Sequence, residues 1–213
     1  TPTCTDFGFR EYGWLPGYRL NFAENLLAKG NADDWALHFI HESGQQHKIS
    51  YAELRTSVAR LQGAISAYID EGDVLACYMP NIPETVISML ATTASGGVFT
   101  STSCDFGIEG VVDRFGQSRP KIMVTVNAYQ YNGKTHSLVP KLLELAEKLD
   151  HVEKIVVVDF LGTGVDLDQL KSDKFVLWQD FLSQQAKPEY HRVRFDAPLY
   201  IMYSSGTTGK PKC

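Results

Sequence analysis

The chain has 213 residues, of which 44% are hydrophobic and 21% are charged, and its formal net charge is −5. A chain of this length can bury a hydrophobic core, so it needs no disulfide bonds for stability. No run of Lys and Arg offsets the acidic balance, which disfavours nucleic-acid binding through a basic face. The longest apolar stretch, residues 86–99, is interrupted by Ser, Thr and Gly and is too short to cross a membrane, and no secretory signal opens the chain.

The first 34 residues predict an irregular segment punctuated by glycine and proline. Its aromatic side chains are expected to anchor it on the rest of the protein; they are Phe7, Phe9, Tyr12, Trp14, Tyr18 and Phe22. The body, residues 35–213, begins with two short strands, 35–40 and 47–50, around a turn that contains glycine.

From residue 50 onward, helix and strand patterns alternate. Ser50 and Glu53 form a capping box at the start of a helix. Further helices are predicted from Pro83 to the Gly96-Gly97 pair, at 108–115, at 138–149 and near 178–184. Apolar runs predict strands at 74–79, 98–102, 121–126, 154–158 and 199–203. This alternation predicts an α/β fold with a mostly parallel sheet that is covered by helices on both faces.

The cysteines and histidines predict neither a disulfide framework nor a metal site. No two of the four cysteines form a CxxC pair. This spacing favours free thiols, which are typical of a reducing compartment, and so predicts a cytoplasmic protein. His38, His41 and His47 lie in a segment that alternates like a hairpin, so we expect them on a solvated surface. The chain lacks an initiator Met and stops at Cys213, from which we expect an incomplete product.

The last predicted strand continues into a segment with the composition of a phosphate-binding loop, Tyr203-Ser-Ser-Gly-Thr-Thr-Gly-Lys-Pro-Lys212. Its two glycines permit close backbone approach, its hydroxyl and N–H groups can donate to an anion, and its two lysines supply positive charge. The spacing excludes the common P-loop, since only two residues separate the glycines and Pro211 follows Lys210. A flexible linker is the alternative, which the lysines, the proline and the preceding strand argue against.

The nine residues from Ser204 to Lys212 resemble the signature phosphate loop of the adenylate-forming superfamily. The resemblance implies that the chain is the incomplete N-terminal domain of such an enzyme and that the loop holds the phosphates of ATP. The residues that it assigns to phosphate binding are Ser204, Ser205, Gly206, Thr207, Thr208, Gly209 and Lys212. Lys210 occupies a variable position, where a solvent-facing role and a functional one both remain open.

Further segments resemble the acetoacetyl-CoA synthetases, a family within that superfamily. They are residues 20–27, 79–86, 103–107, 113–117 and 131–134, and the resemblance extends from about Tyr12 to Cys213. One departure is Cys104, which stands before Asp105 where that family often has Pro. Asp105 and Phe106 are expected to shape the turn into the next helix, and Arg114 is expected to pair with a carboxylate.

This second resemblance implies an acid–thiol ligase that uses ATP, Mg²⁺ and coenzyme A to convert acetoacetate, a small carboxylic acid, into acetoacetyl-AMP and then acetoacetyl-CoA. In the related acetyl-CoA synthetases, basic residues of the segment that matches residues 131–134 contact the nucleotide end of coenzyme A, which implies that Lys134 binds its 3′-phosphate; an ordinary surface lysine is the alternative. Catalytic and Mg²⁺-binding residues are expected beyond Cys213, so the 213 residues alone are predicted to be inactive and, through an unpaired sheet edge, to self-associate. An acetyl- or propionyl-CoA synthetase and a non-catalytic binding or dimerisation module are the alternatives.

Overall fold

The computed structural model describes residues 4–6, 12–165, 170, 172–185, 187–204 and 211–213. The helices are α1 (Phe22–Leu27), α2 (Tyr51–Ile65), α3 (Pro83–Ala94), α4 (Ile108–Ser118), α5 (Val139–Lys148) and α6 (Trp178–Phe181). The strands are β1 (Cys4–Asp6), β2 (Tyr12–Trp14), β3 (Arg19–Leu20), β4 (Trp35–Ile40), β5 (Gln46–Ser50), β6 (Val74–Tyr78), β7 (Val98–Thr102), β8 (Ile122–Val126), β9 (Ala128–Tyr131), β10 (Lys134–Ser137), β11 (Lys154–Val158), β12 (Phe175–Leu177), β13 (Val193–Arg194) and β14 (Tyr200–Ile201).

A six-stranded sheet forms the centre of the fold, in the order β12-β11-β8-β6-β7-β14. Every neighbouring pair in it is parallel. The chain moves from β6 to β7 through α3 in one direction and from β7 to β8 through α4 in the other. Because such crossovers are right-handed, α3 and α4 lie on opposite faces of the sheet. Helix α2 packs with α3, and α5 packs with α4. The predicted α/β fold is therefore confirmed.

The central strands are almost wholly buried, as their continuous apolar runs predict. All five residues of β8 are buried, and so are four of the five in each of β6, β7 and β11. Helix α2 begins with the predicted capping box, in which the Ser50 hydroxyl accepts from the Glu53 N–H while the Glu53 carboxylate accepts from the Ser50 N–H. Sheet and helices share one hydrophobic core.

The N-terminal segment contains more order than the sequence suggests, because it includes the six-residue helix α1. The aromatic side chains of Tyr18 and Phe22 do not anchor it in the core, since both are exposed. Among the residues of this segment whose side chains are described, the buried ones are instead Asn21, Ala23 and Leu27; the other predicted anchors, Phe7, Phe9, Tyr12 and Trp14, lie outside that set.

Outside the central sheet, the described residues form the antiparallel pairs β1–β2 and β3–β13 and two further antiparallel hairpins. The first joins β4 and β5, as predicted. The second joins β9 and β10 and was not predicted, although the Asn132-Gly133 pair at its tip is a strong hairpin signal. Both turn residues have positive φ, +52° and +72°, which Asn and Gly tolerate. No helix in the described part of the chain is long and apolar enough to cross a membrane.

Candidate nucleotide-binding site

The ends of the predicted phosphate loop meet in the structure. The Ser204 N–H donates to the Lys212 carbonyl at 2.9 Å, and the Lys212 N–H donates to the Ser204 carbonyl at 3.3 Å. Residues 205–210, which include Ser205, Gly206, Thr207, Thr208 and Gly209, lie outside the described residues. Ser204 and Lys212 are both exposed, and the Ser204 hydroxyl donates to the Lys212 carbonyl at 3.5 Å.

Helix α4 supports the loop where it leaves β14. The Tyr203 hydroxyl lies 3.0 Å from both Thr100 Oγ1 on β7 and Ser118 Oγ on α4. Burial raises the pKa of Tyr203 above its ordinary value, so its hydroxyl stays protonated at neutral pH. On the far side of the loop, Gln117 Nε2 donates to the Pro211 carbonyl at 2.9 Å. The loop is therefore held at both ends by one helix.

Arg114 lies on the same helix, beneath the start of the loop. Its guanidinium carbon is 4.0 Å from the centre of the Phe106 ring and 5.7 Å from that of Tyr203. Its Nη1 donates to the Gly110 carbonyl at 2.7 Å. Among the described residues, no carboxylate comes within ion-pair distance of it, so none of them supplies the carboxylate partner that the sequence led us to expect.

A cavity of about 410 Å³, which we call the switch-point cavity, opens beside the loop. It lies where β6, β7 and β14 end, and its wall includes Arg114 and Tyr203. Since α3 leaves β6 on one face and α4 leaves β7 on the other, the cavity is at a topological switch point of the sheet. Open α/β sheets bind ligands at such points.

The turn after β7 is fixed by Tyr78, the last residue of β6. Its hydroxyl lies 3.1 Å from the Cys104 carbonyl and 2.8 Å from that of Phe106. Cys104 is itself buried, and its thiol is 3.7 Å from the Tyr78 carbonyl. Cysteine thus fits where the resembling family often has proline, and Asp105 and Phe106 form part of the turn that leads into α4.

Lys134, the residue predicted to bind coenzyme A, begins β10 and is exposed. It faces Tyr131 across the hairpin. The tip is held by Glu42, whose two carboxylate oxygens each accept a bond of 3.0 Å, from the Asn132 and Gly133 N–H groups. Nothing in the local sequence could have indicated Glu42, because it lies about ninety positions away.

Lys134 and the phosphate loop occupy the same edge of the sheet but different strands. Strand β9 follows β8 directly, whereas the loop follows β14, and β8 and β14 are separated by β6 and β7. Three strand spacings correspond to roughly 14 Å. The strands that precede the two predicted sites are therefore three strand positions apart. The described residues contain no group of three or more His, Cys, Asp or Glu side chains that could hold a metal ion.

The fold and the place of the predicted loop are typical of enzymes that use a nucleotide to activate a substrate. Comparison with known proteins identifies the family of this chain. Residues 25–213 match the model of the AMP-binding enzyme family. The match covers most of the chain, and the chain belongs to that family.

Several of the proteins that are similar to this chain are acetoacetyl-CoA synthetases. The chain is 40% identical over 207 residues to acetoacetyl-CoA synthetase of Gallus gallus and 42% identical over 202 residues to acetoacetyl-coenzyme A synthetase of Rhizobium meliloti. Each alignment covers 94% of this chain and 31% of the relative. The solved structure of acetoacetyl-CoA synthetase from Streptomyces lividans superimposes with a TM-score of 0.89 at 37% identity, covering 98% of this chain and 32% of that one. The chain thus spans about a third of the length of these relatives.

Proposed function

We propose that this chain is part of an ATP-dependent acid–thiol ligase that activates acetoacetate. The observation that carries the proposal is the loop between Ser204 and Lys212, closed at its base and placed after β14 at the carboxyl edge of the sheet. The identity of about 40% to acetoacetyl-CoA synthetases supports the choice of acid. An acetyl- or propionyl-CoA synthetase is the nearest alternative.

In the proposed reaction, a carboxylate oxygen of acetoacetate attacks the α-phosphorus of Mg·ATP and pyrophosphate leaves. The thiol of coenzyme A then displaces AMP from the acyl-adenylate. The loop would hold and neutralise the departing β- and γ-phosphates through its hydroxyl and N–H groups and through the ammonium of Lys212. Mg²⁺ would arrive with ATP as part of the substrate.

We further propose that Lys134 binds the 3′-phosphate of coenzyme A. This proposal is supported by the exposure of Lys134 near the tip of a hairpin whose turn is held by Glu42. In the full product of the gene, Lys134→Ala is expected to raise KM for coenzyme A about fivefold and to leave KM for ATP unchanged. Lys48→Ala, at another exposed hairpin position, is the control. An unchanged KM for coenzyme A in Lys134→Ala would remove this assignment.

The test of the function is exchange of pyrophosphate into ATP by the full gene product, with acetoacetate and acetate compared at equal concentration. Exchange that depends on acetoacetate is the expected result. Exchange with acetate alone would keep the adenylation chemistry and change the acid. Exchange with neither would favour a non-catalytic binding module. We expect the 213 residues by themselves to form no acyl-CoA, because the relatives use a chain of which this one spans 31%.

The free thiols of the buried Cys77 and Cys104 support a reducing, cytoplasmic location for the protein.

A further inference from the structure

The tip of the β9–β10 hairpin is held by a side chain from the other hairpin. The successive N–H groups of Asn132 and Gly133 each donate to one carboxylate oxygen of Glu42, at 3.0 Å. Successive backbone N–H groups in a turn form a concavity that binds anions. The anion that fills this concavity is therefore part of the protein, and it comes from the turn between β4 and β5.

The turn that carries Glu42 is itself fixed. The His41 N–H donates to the Gln45 carbonyl at 2.8 Å, and the Gly44 N–H donates to the His41 carbonyl at 2.9 Å. The His41 ring packs edge-on against Phe160, which lies two residues after β11, with 5.5 Å between the ring centres. The Glu42 carboxylate thus extends from a turn that is closed by its own bonds and attached to the body of the protein.

The base of the β9–β10 hairpin is held by other groups. Asn127 lies between β8 and β9, and its Nδ2 donates to Asp159 Oδ1 at 2.7 Å and to Thr163 Oγ1 at 3.1 Å. Its carbonyl accepts from the Leu138 N–H, just after β10, at 2.8 Å. Because none of these bonds involves Glu42, its removal is expected to release the tip and to leave the base in place.

Lys134 follows the tip directly and depends on it for its position. It is the residue after Gly133, it faces Tyr131 across the hairpin, and it is exposed. Its ammonium takes part in none of the ion pairs that the described residues form. A lysine side chain is flexible, so a fixed backbone lowers the entropy that it loses when it meets a ligand.

We propose that Glu42 is a positioning residue for coenzyme A, whose carboxylate fixes the hairpin tip so that Lys134 is held where it meets the 3′-phosphate. The inference rests on the proposed function, in which Lys134 contacts that phosphate. Glu42 makes no contact with the ligand, since a carboxylate repels a phosphate and both of its oxygens already accept N–H groups. Its effect on binding therefore passes through Lys134 and is expected to vanish when that lysine is removed.

A double-mutant cycle in the full gene product tests this dependence. Glu42→Ala is expected to raise KM for coenzyme A about threefold, less than the fivefold expected for Lys134→Ala, and to leave KM for ATP unchanged. Adding Glu42→Ala to Lys134→Ala is expected to raise KM for coenzyme A no further. A merely structural role for Glu42 would raise KM for both substrates, or would give the same increase with and without Lys134.

Two further variants separate position from charge. Glu147→Ala removes the same charge from an exposed position of α5 and is expected to leave KM for coenzyme A unchanged. Glu42→Gln keeps one acceptor oxygen and should give a KM between those of the wild type and Glu42→Ala. A KM for coenzyme A that is unchanged or lower in Glu42→Ala would overturn the proposal, since repulsion by the carboxylate would then equal or exceed its positioning effect.

Titration calorimetry with adenosine 3′,5′-bisphosphate repeats the cycle without catalysis and separates this inference from the proposed function. Non-additive weakening by the two substitutions, in a gene product that shows no pyrophosphate exchange with any acid, would support the positioning role and contradict the acid activation. Wild-type affinity in Glu42→Ala beside weakened binding in Lys134→Ala would overturn the positioning role alone. Wild-type affinity in Lys134→Ala would overturn the assignment of that lysine and the role of Glu42 with it.

Discussion

Burial decides the chemistry of individual side chains in this protein. Cys77 and Cys104 lie in the core, and burial raises the pKa of each thiol to about 12. Cys213 is exposed. The thiolate is the form that reacts with alkylating agents. The buried and the exposed cysteines therefore differ in reactivity, although the residues around them in the sequence do not indicate it.

We therefore expect iodoacetamide at pH 8 to modify Cys213 within minutes and to leave Cys77 and Cys104 unmodified in the native chain. Peptide mass spectrometry after timed quenching measures each site. The same reaction in urea is the control, in which all three should react alike. Rapid native modification of Cys104 would show that the turn after β7 opens readily.

Glu84, in the first turn of α3, is a second side chain that burial perturbs. Desolvation raises the pKa of its carboxyl above 4.5 in the folded state. The folded protein therefore binds the carboxyl proton of Glu84 more tightly than the unfolded chain does. The stabilisation that this protonated carboxyl contributes is complete below pH 4.5 and is lost as the pH rises through the pKa of the folded state. Glu84→Gln is expected to raise the free energy of unfolding at pH 7 and to flatten its pH dependence in that window, as measured by urea unfolding from pH 4 to 7. An unchanged pH profile would contradict this prediction.

At the scale of elements, single polar residues join segments that are distant in sequence. Asn21 Nδ2 donates to the carbonyls of Thr93, Ala94 and His191, at distances between 2.8 and 3.1 Å. Its Oδ1 accepts from the Glu24 N–H at 3.1 Å and so caps α1. One side chain thus ties the N-terminal segment to the end of α3 and to the segment just before β13.

Asn21→Ala is expected to destabilise the protein by about 2 kcal/mol, since it removes the cap of α1 and the buried side-chain bonds to three carbonyls, although those of Thr93 and Ala94 keep a backbone donor. Urea unfolding measures the change. Asn25→Ala, at an exposed position of the same helix, should cost less than about 0.5 kcal/mol. Equal effects of the two substitutions would show that the buried contacts of Asn21 contribute little.

The β9–β10 hairpin offers a local test. Glu42→Ala removes both acceptors of the Asn132 and Gly133 N–H groups, so we expect these two amides to exchange with solvent at least tenfold faster. Hydrogen exchange followed by NMR measures this rate, and amides of β8 serve as the internal reference. Unchanged protection at the tip would mean that the turn is ordered without Glu42.

At the scale of the whole molecule, apolar side chains are exposed next to one edge of the sheet. Phe22 and Phe195 line a second cavity, of about 490 Å³, and Tyr200 packs edge-on against Phe22 at 6.0 Å. Met202, two residues further on, is 79% exposed. Within the described residues, β14 pairs only with β7. An apolar surface beside an open strand edge promotes association.

We expect the 213-residue chain to self-associate reversibly at micromolar to millimolar concentration. Met202→Lys should shift the association to at least several-fold higher concentration, as measured by sedimentation equilibrium. Leu143→Lys, at a position of α5 that is 36% exposed, is the control and should have no effect. A monomeric wild-type chain throughout this range would contradict the prediction.

The sequence predicts the regular part of the fold well because its signals are local. Buried strands such as β8 and β11 need continuous apolar residues, and the capping box at Ser50 is made within four positions. The short strands β12 and β13 were not predicted, because two or three residues carry too little pattern and form only against a partner strand. The phosphate loop was recognisable because its chemistry requires glycines, hydroxyl groups and lysines in one continuous stretch.

The sequence by itself thus determined the fold class and the hairpin β4–β5, and it predicts a phosphate loop after the last strand. Only the tertiary structure decided what surrounds that loop. Tyr203 follows β14, Arg114 lies on α4 and Thr102 ends β7, and they meet because parallel strands bring their carboxyl ends to one edge. No local pattern encodes a distance between residues a hundred positions apart, so the switch-point cavity and the bonds from Glu42 to the hairpin tip became visible only when the chain was folded.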